Sequence, residues 1–259
     1  MQSNSRYVFP RVIAALLIRE MITRYGRTPG GYLWALLEPI GMIVLLSLVF
    51  SQFIHVPPLG TSFALFYATG YIPFHAYMDF SSNTSNALAV NRQLLHLPMV
   101  RPLDTIIARY ILSLLTLVLT SLIIFGSMLY IIDDRTAVDP APLLAALCLA
   151  TLLGLGVGTL NSVIFLFFPV WQRLWAILMR PMFLISGVFF TLESLPQQVQ
   201  EVITWNPVIH TVGLARSGFY PTYDAVYVDW AYVLFIAVTT FIAGGILLHR
   251  HSGRFIEMS

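Results

Sequence analysis

Three ionisable side chains interrupt long apolar stretches of the sequence: Glu38, Asp79 and Arg180. An ionisable group at membrane depth is costly, so it normally faces a protein interior or a water-filled cavity. Each lies within a few helical turns of one end of its stretch, so all three can share one layer. The layer fits a polar entrance to a translocation path, an ion pair that orients helices, or a proton relay. The relay is disfavoured because no further ionisable groups continue it across the apolar stretches.

A basic segment precedes Glu38. Apolar residues recur at every fourth position from Phe9 to Tyr25, which predicts an amphipathic helix over about 8–27 in the plane of a membrane surface. Its arginines suit bidentate contact with an anionic group such as a phosphate or sugar acid. We therefore place Arg19, Arg24 and Arg27 on a candidate substrate path. The alternatives are contact with a partner protein and a plain interfacial anchor.

Aromatic side chains crowd the stretch that contains Asp79. A tyrosine offers an apolar ring and a polar hydroxyl, which suits the apolar C–H faces and hydroxyls of sugar rings. Packing between helices and an interfacial aromatic belt are the alternatives. The aromatic members of the candidate path are Tyr32, Trp34, Tyr67, Tyr71, Phe74, Tyr77 and Trp175.

The residue inventory excludes several chemistries. All 14 basic residues are arginine, so the chain lacks the lysine of a phosphate-binding P-loop and of Schiff-base catalysis. The single cysteine, Cys148, excludes an intrachain disulfide, and the histidines show no metal-ligand spacing with carboxylates. We expect no catalytic residue, metal site, bound cofactor or nucleic-acid partner. Any ATP-driven role places ATP and Mg²⁺ on another chain.

Composition predicts an all-α polytopic membrane protein. Of the 259 residues, 58% are hydrophobic and 10% are charged, against about 25% charged in a soluble domain. A bilayer core requires about 20 apolar residues as a helix. Six segments satisfy this requirement within a single transmembrane domain over 1–259: about 32–54, 62–85, 103–132, 142–168, 174–191 and 229–248.

The arginines predict the orientation of these spans. With six spans, eleven arginines fall on the side of the termini, whereas only Arg135 and Arg216 fall on the other side, among seven acidic residues. Because basic residues are retained in the cytoplasm, we expect both termini to be cytoplasmic.

Two connections carry further signals. The cytoplasmic stretch about 86–97 predicts a short helix, either a docking element for a soluble partner or a simple linker. It presents Asn91, Arg92, Gln93, Leu94, Leu95 and His96. The outer segment about 192–228 predicts two short helices, one capped by Ser194 with Gln197 and one by Asn206 before Pro207. Both are too short to span, which favours interfacial or re-entrant helices. Gly154 and Gly158 predict a close helix contact.

Four stretches together resemble the membrane-spanning permease subunit of ABC transporters that export polysaccharides, most closely the capsular polysaccharide exporter of Gram-negative bacteria. They are "REMITRYGRTPGGYLWALLEP" (19–39), "PMVRPLDTIIAR" (98–109), "RPMFLISGVFF" (180–190) and "WNPVIHTVGLAR" (205–216). The resemblance implies a bacterial inner-membrane homodimer with two ATP-binding subunits. It also implies that the segment 86–97 is a coupling helix. The outer helices would gate the periplasmic exit, where Trp205, Asn206, Pro207, His210 and Arg216 lie.

The resemblance further implies lipid-linked anionic polysaccharide as substrate, with a periplasmic co-polymerase or adaptor and an outer-membrane export protein as partners. One position departs from the family pattern: Gly213 stands where an acidic residue is common, which puts a salt bridge to Arg216 in doubt. The alternatives are an exporter of O-antigen or teichoic acid, and an ABC exporter of a drug or lipid.

Overall fold

The computed structural model describes residues 8–26, 30–96, 100–131 and 138–250, in which all regular structure is helical. These described residues form ten α-helices: α1 (Val8–Tyr25), α2 (Tyr32–Phe53), α3 (Phe63–Ser85), α4 (Ala87–Val90), α5 (Pro102–Ile131), α6 (Pro140–Phe167), α7 (Pro169–Ile185), α8 (Gln197–Ile203), α9 (Pro207–Phe219) and α10 (Trp230–Arg250). Two 3-10 turns cover Arg92–His96 and Leu192–Ser194. Arg27, one of the residues predicted to lie on a substrate path, is outside the described ranges.

The helix bounds match the predicted spans closely except at α7. The prediction began this span near 174 and ended it at 191, whereas α7 runs over Pro169–Ile185. Pro169 occupies the first helical turn, where its missing N–H costs nothing. The helix stops before Gly187, which has a φ of 77° that favours glycine.

Four of the described helices are long and apolar enough to cross a membrane: α2, α5, α6 and α10. The predicted spans at α3 and α7 are outside this set. The helix α7 has only 17 residues, while α3 carries polar side chains such as Thr69 and Ser81 along its length. These polar residues are buried because neighbouring helices pack around α3.

The helix α3 is the centre of the bundle and packs against α2, α5, α6 and α9. The close approach of α6 to α3 depends on the predicted glycine pair, Gly154 and Gly158. A Cβ atom added to Gly154 would lie 2.7 Å from the Cβ of Phe80, and one added to Gly158 would lie 2.6 Å from the Cβ of Thr84. The predicted glycine contact is therefore present, and it fixes α6 against the polar half of α3.

The N-terminal helix α1 packs against α5. Its packed face differs from the predicted apolar row, because Ile13, Leu16 and Glu20 are buried whereas Met21 is exposed. The apolar periodicity therefore predicted the helix, but the face that packs on α5 also includes Glu20, which the apolar row did not contain. The predicted helix over 86–97 is also divided, into α4 and the 3-10 turn Arg92–His96.

Candidate functional site

A cavity of about 360 Å³ lies between α1, α2, α3 and α5. It brings together five of the thirteen residues that the sequence placed on a substrate path: Arg24, Glu38, Tyr71, Phe74 and Asp79. The rest of its lining includes hydroxyl groups from Ser82, Ser113, Thr116 and Thr120. The wall therefore combines charge, hydroxyls and aromatic rings.

The charges in this cavity are partly paired. The Arg24 Nη2 atom lies 2.9 Å from Asp79 Oδ1, and Arg24 Nη1 lies 3.5 Å from the hydroxyl of Ser113. Among the described residues, Glu38 and Arg180 form no ion pair within 4.0 Å. Asp79 is thus paired with Arg24 of α1 and not with the other two members of the predicted layer. Glu38 shares the cavity, whereas Arg180 is exposed on α7 and does not line it.

The predicted aromatic residues of α3 are buried between helices of the chain. Tyr67, Tyr71, Phe74 and Tyr77 are each at most 6% exposed. The ring of Phe183 on α7 lies 6.2 Å from that of Tyr71 and 5.2 Å from that of Phe74, between centroids. Only Tyr71 and Phe74 also border the cavity.

The other path residues are dispersed. Arg19 Nη1 donates to Asn91 Oδ1 at 2.6 Å, which directs this side chain to the end of α4. The Tyr32 hydroxyl donates to Thr116 at 3.1 Å beside the cavity wall. Trp34 is 61% exposed. Trp175 borders a second cavity, of about 300 Å³, between α3, α6 and α7.

The segment about 86–97, which the sequence predicted as a docking element and which we call the docking segment, has one buried residue with exposed neighbours. Asn91 is 1% exposed, whereas Arg92 and Gln93 are exposed and Leu94 is half-buried. The side chains of Leu95 and His96 lie outside the described set. The segment therefore combines an exposed turn with one buried anchor.

The outer residues surround the unwound end of α7. Asn206 caps α9, since its Oδ1 accepts from the N–H of Val208 at 3.0 Å, and Pro207 follows in the first turn, as predicted. Asn206 Nδ2 also donates to Ser186 Oγ at 3.2 Å. The predicted cap by Ser194 is wrong: α8 starts after Pro196, and the Ser194 hydroxyl donates to the carbonyl of Thr191.

Arg216 connects α9 to the turn that follows α7. It is 1% exposed and donates to the carbonyl oxygens of Phe190 at 2.7 Å and Val188 at 3.3 Å. Its guanidinium carbon lies 4.2 Å from the centroid of the Phe66 ring on α3, a cation–π contact. Backbone carbonyls and a ring thus stabilise this cation.

His210 and Trp205, also predicted to lie at the exit, connect α9 and the residues before it to the start of α10. The imidazole of His210 is held by the Thr204 carbonyl at 2.8 Å and by the N–H of Asp229 at 3.0 Å, just before α10. Trp205 is 75% exposed, and its carbonyl accepts from Tyr232 at 2.8 Å. These bonds join α9 to the start of α10.

A tyrosine–carboxylate contact lies beside this region, between the turn at Leu192–Ser194 and the segment that follows α9. The Tyr223 hydroxyl donates to Glu193 at 3.2 Å. Burial, reinforced by Tyr227, raises the pKa of Tyr223 above its ordinary value, so the hydroxyl keeps its proton and continues to donate.

Sequence reasoning missed three residues at these sites. His75 lines the cavity with its ring centroid 5.4 Å from that of Tyr71, and it lies one turn before Asp79 on the same helix face. Glu20 and Arg109 form a second ion pair next to the docking segment, with 3.1 Å between Arg109 Nε and Glu20 Oε1. The i, i+4 spacing of His75 with Asp79, and of Glu20 with Arg24, was the available signal.

Comparison with known proteins identifies the class. The family model for the ABC-2 type transporter matches residues 11–220, and the chain belongs to this family. The chain is 33% identical over 239 residues to the polysialic acid transport protein KpsM of Escherichia coli, which covers 92% of each chain.

Two further relatives have similar names. The chain is 28% identical over 249 residues to the capsule polysaccharide export inner-membrane protein CtrC of Neisseria meningitidis, covering 96% of this chain and 94% of the relative. It is 33% identical over 212 residues to the capsule polysaccharide export inner-membrane protein BexB of Haemophilus influenzae, covering 81% and 79%.

Proposed function

We propose that this chain is the permease subunit of an ATP-driven exporter that moves lipid-linked anionic capsular polysaccharide across the bacterial inner membrane. Similarity over nine-tenths of the chain to a protein named for polysialic acid transport carries the proposal. The membership of the ABC-2 family supports transport, and the cavity with Arg24 and hydroxyl groups supports an anionic sugar as cargo.

The proposed topology has six spans: α2, α3, α5, α6, α7 and α10. The helix α1 lies in the cytoplasmic interface, and α8 and α9 are re-entrant on the periplasmic side. Both termini are cytoplasmic, for which the arginine distribution is the support. The single domain covers 1–259.

The proposed assembly is a homodimer with two ATP-binding subunits. In a single protomer α7 buries none of its residues fully, which supports α7 as a face that a second copy covers. ATP and Mg²⁺ belong to the partner subunits, which dock on the segment 86–97. A periplasmic adaptor and an outer-membrane export protein receive the polymer.

The proposed path starts at the cytoplasmic leaflet. Arg24, with Arg19 and Arg27 nearby in the sequence, meets the anionic head of the substrate beside the cavity. The polymer then passes between two protomers along α2, α3 and α7, past Trp175 and Arg180. The outer segment 192–228 gates the exit.

The test is the double substitution Arg24→Ala with Arg27→Ala, with Arg11→Ala on the exposed side of α1 as the matched control. Surface polymer is expected to fall strongly in the double variant and to stay normal in the control, while both still co-purify with the ATP-binding subunit. Normal surface polymer in the double variant contradicts the assigned head-group site.

A further inference from the structure

The inward face of α1 carries a buried carboxylate. Glu20 is 4% exposed on a helix whose other buried residues, Ile13 and Leu16, are apolar. A buried carboxylate is destabilising unless charged and hydrogen-bonding partners compensate for its lost hydration. Glu20 has two such partners, and each comes from a different element.

The first partner is Asn91, at the end of α4. Its Nδ2 donates to Glu20 Oε1 at 2.6 Å and to the carbonyl of Ala87 at 3.1 Å. Its Oδ1 accepts from Arg19 Nη1 at 2.6 Å. Two consecutive residues of α1 therefore hold both ends of one buried amide, directly before the exposed Arg92 and Gln93.

The second partner is Arg109, in the first half of α5. Its Nε lies 3.1 Å from Glu20 Oε1, and its Nη1 donates to the carbonyl of Asn83 near the end of α3 at 3.0 Å. The side chain is 12% exposed. Glu20, Asn91 and Arg109 thus join α1, α4, α5 and the end of α3 at one point.

The joint is connected to the cavity through α1 itself. Arg24 lies four residues after Glu20, on the same face of the helix, and pairs with Asp79 across the cavity wall. A rigid shift of α4 that carries Glu20 therefore moves Arg24 as well, since one helical turn separates them.

We propose that Glu20, Asn91 and Arg109 form a polar joint that transmits displacement of the docking segment to α1, and through α1 to Arg24 in the cavity. Glu20 is a positioning residue in this mechanism. The inference rests on the proposed function, because it assumes that the segment 86–97 receives the motion of the ATP-binding subunits.

The first experiment measures the joint in the intact transporter with its ATP-binding subunits. Spin labels are placed at Ile18→Cys, which is 62% exposed, and at Gln93→Cys, in a Cys148→Ser background. The distance between the two labels is expected to stay the same in nucleotide-free and ATP-trapped states. In Asn91→Ala the distance distribution is expected to broaden. A distance that changes with nucleotide in the parent protein overturns the joint.

The second experiment separates transmission from simple folding. Glu20→Gln keeps the acceptor for Asn91 but removes the ion pair with Arg109. The polymer exported per ATP hydrolysed is expected to fall about fivefold, the scale on which mutations in a coupled network alter coupling. The charge exchange Glu20→Arg with Arg109→Glu is expected to recover part of that ratio.

The outcomes of the second experiment are distinct. A parallel loss of export and ATP hydrolysis in Glu20→Gln, or no change in either, overturns the transmission role. Absence of any polymer export by the parent complex contradicts the proposed function instead, while the label distances still test the joint. Arg11→Gln, on the exposed side of α1, is the matched control.

Discussion

The guanidinium of Arg24 and the carboxylate of Asp79 lie 2.9 Å apart and connect the N-terminal helix to the central helix at the wall of the cavity. Their side chains are 32% and 24% exposed. Water therefore reaches the pair, and an incoming anion can compete with Asp79 for Arg24. In the proposed mechanism, this ion pair couples the position of α1 to the availability of Arg24 for the anionic substrate.

Release of Arg24 from this pair is expected to strengthen substrate binding. Asp79→Asn leaves the guanidinium without its carboxylate, and partly exposed pairs are worth roughly 0.2–1 kcal/mol. We expect the substrate concentration that half-maximally stimulates ATP hydrolysis to fall by about twofold to fivefold. Arg24→Gln is expected to raise it. An unchanged value in both variants contradicts a role for Arg24 in substrate contact.

A methyl group added at the contact between α6 and α3 is expected to lower the stability of the protein. Gly158→Ala places a Cβ 2.9 Å from the carbonyl oxygen of Ser81, and such overpacking costs about 1–3 kcal/mol. Thermal unfolding in detergent is expected to shift downward. Gly245→Ala is the control, because no described atom beyond its own stretch of helix lies within 4 Å of its added Cβ. Equal stability of the two variants contradicts the close packing.

Arg216 is expected to be irreplaceable by lysine. A single ammonium group cannot reproduce the fork that reaches both Phe190 and Val188, and an unsatisfied buried carbonyl costs about 1–3 kcal/mol. Arg216→Lys is expected to lower the unfolding temperature and to increase proteolysis after α7. Arg173→Lys, at an exposed position on α7, is the control. The same unfolding temperature in both variants contradicts the anchoring role.

Asn206 is expected to contribute as the cap of α9. Asn206→Ala removes the bond to the Val208 N–H, which is worth about 1 kcal/mol, and also the bond to Ser186. Asn206→Asp keeps the cap and is expected to retain more stability. Chemical unfolding of the purified protein measures the difference. An equal loss of unfolding free energy in both variants shows that the cap contributes little.

Much of the fold follows from local sequence signals. Apolar length predicted α2, α5, α6 and α10, the Asn206–Pro207 pair predicted the start of α9, and the glycine pair predicted the contact of α6. Each of these signals depends on the residue itself or on near neighbours. Ser194 failed as a cap because α8 begins at Gln197, so that Pro196, and not Ser194, occupies the N-cap position.

The site was harder to predict because its geometry depends on which helix faces meet. Apolar residues of α1 suit both lipid and protein, so periodicity does not distinguish the inward Ile13 from the exposed Met21. The partners of Asp79 and Glu20 lie 55 and 89 residues away in sequence. Only the packing of α1 and α3 on the same helix, α5, brings those charges together.

Deletion of the gene for this chain in its native host tests the central claim most directly. Polymer is measured at the cell surface and inside the cell, with the intact gene supplied in trans as the control. We expect the surface to lack capsular polysaccharide while lipid-linked polymer accumulates in the cytoplasm, and we expect complementation to restore export. Normal surface capsule in the deletion strain contradicts the assignment of this chain as the export permease.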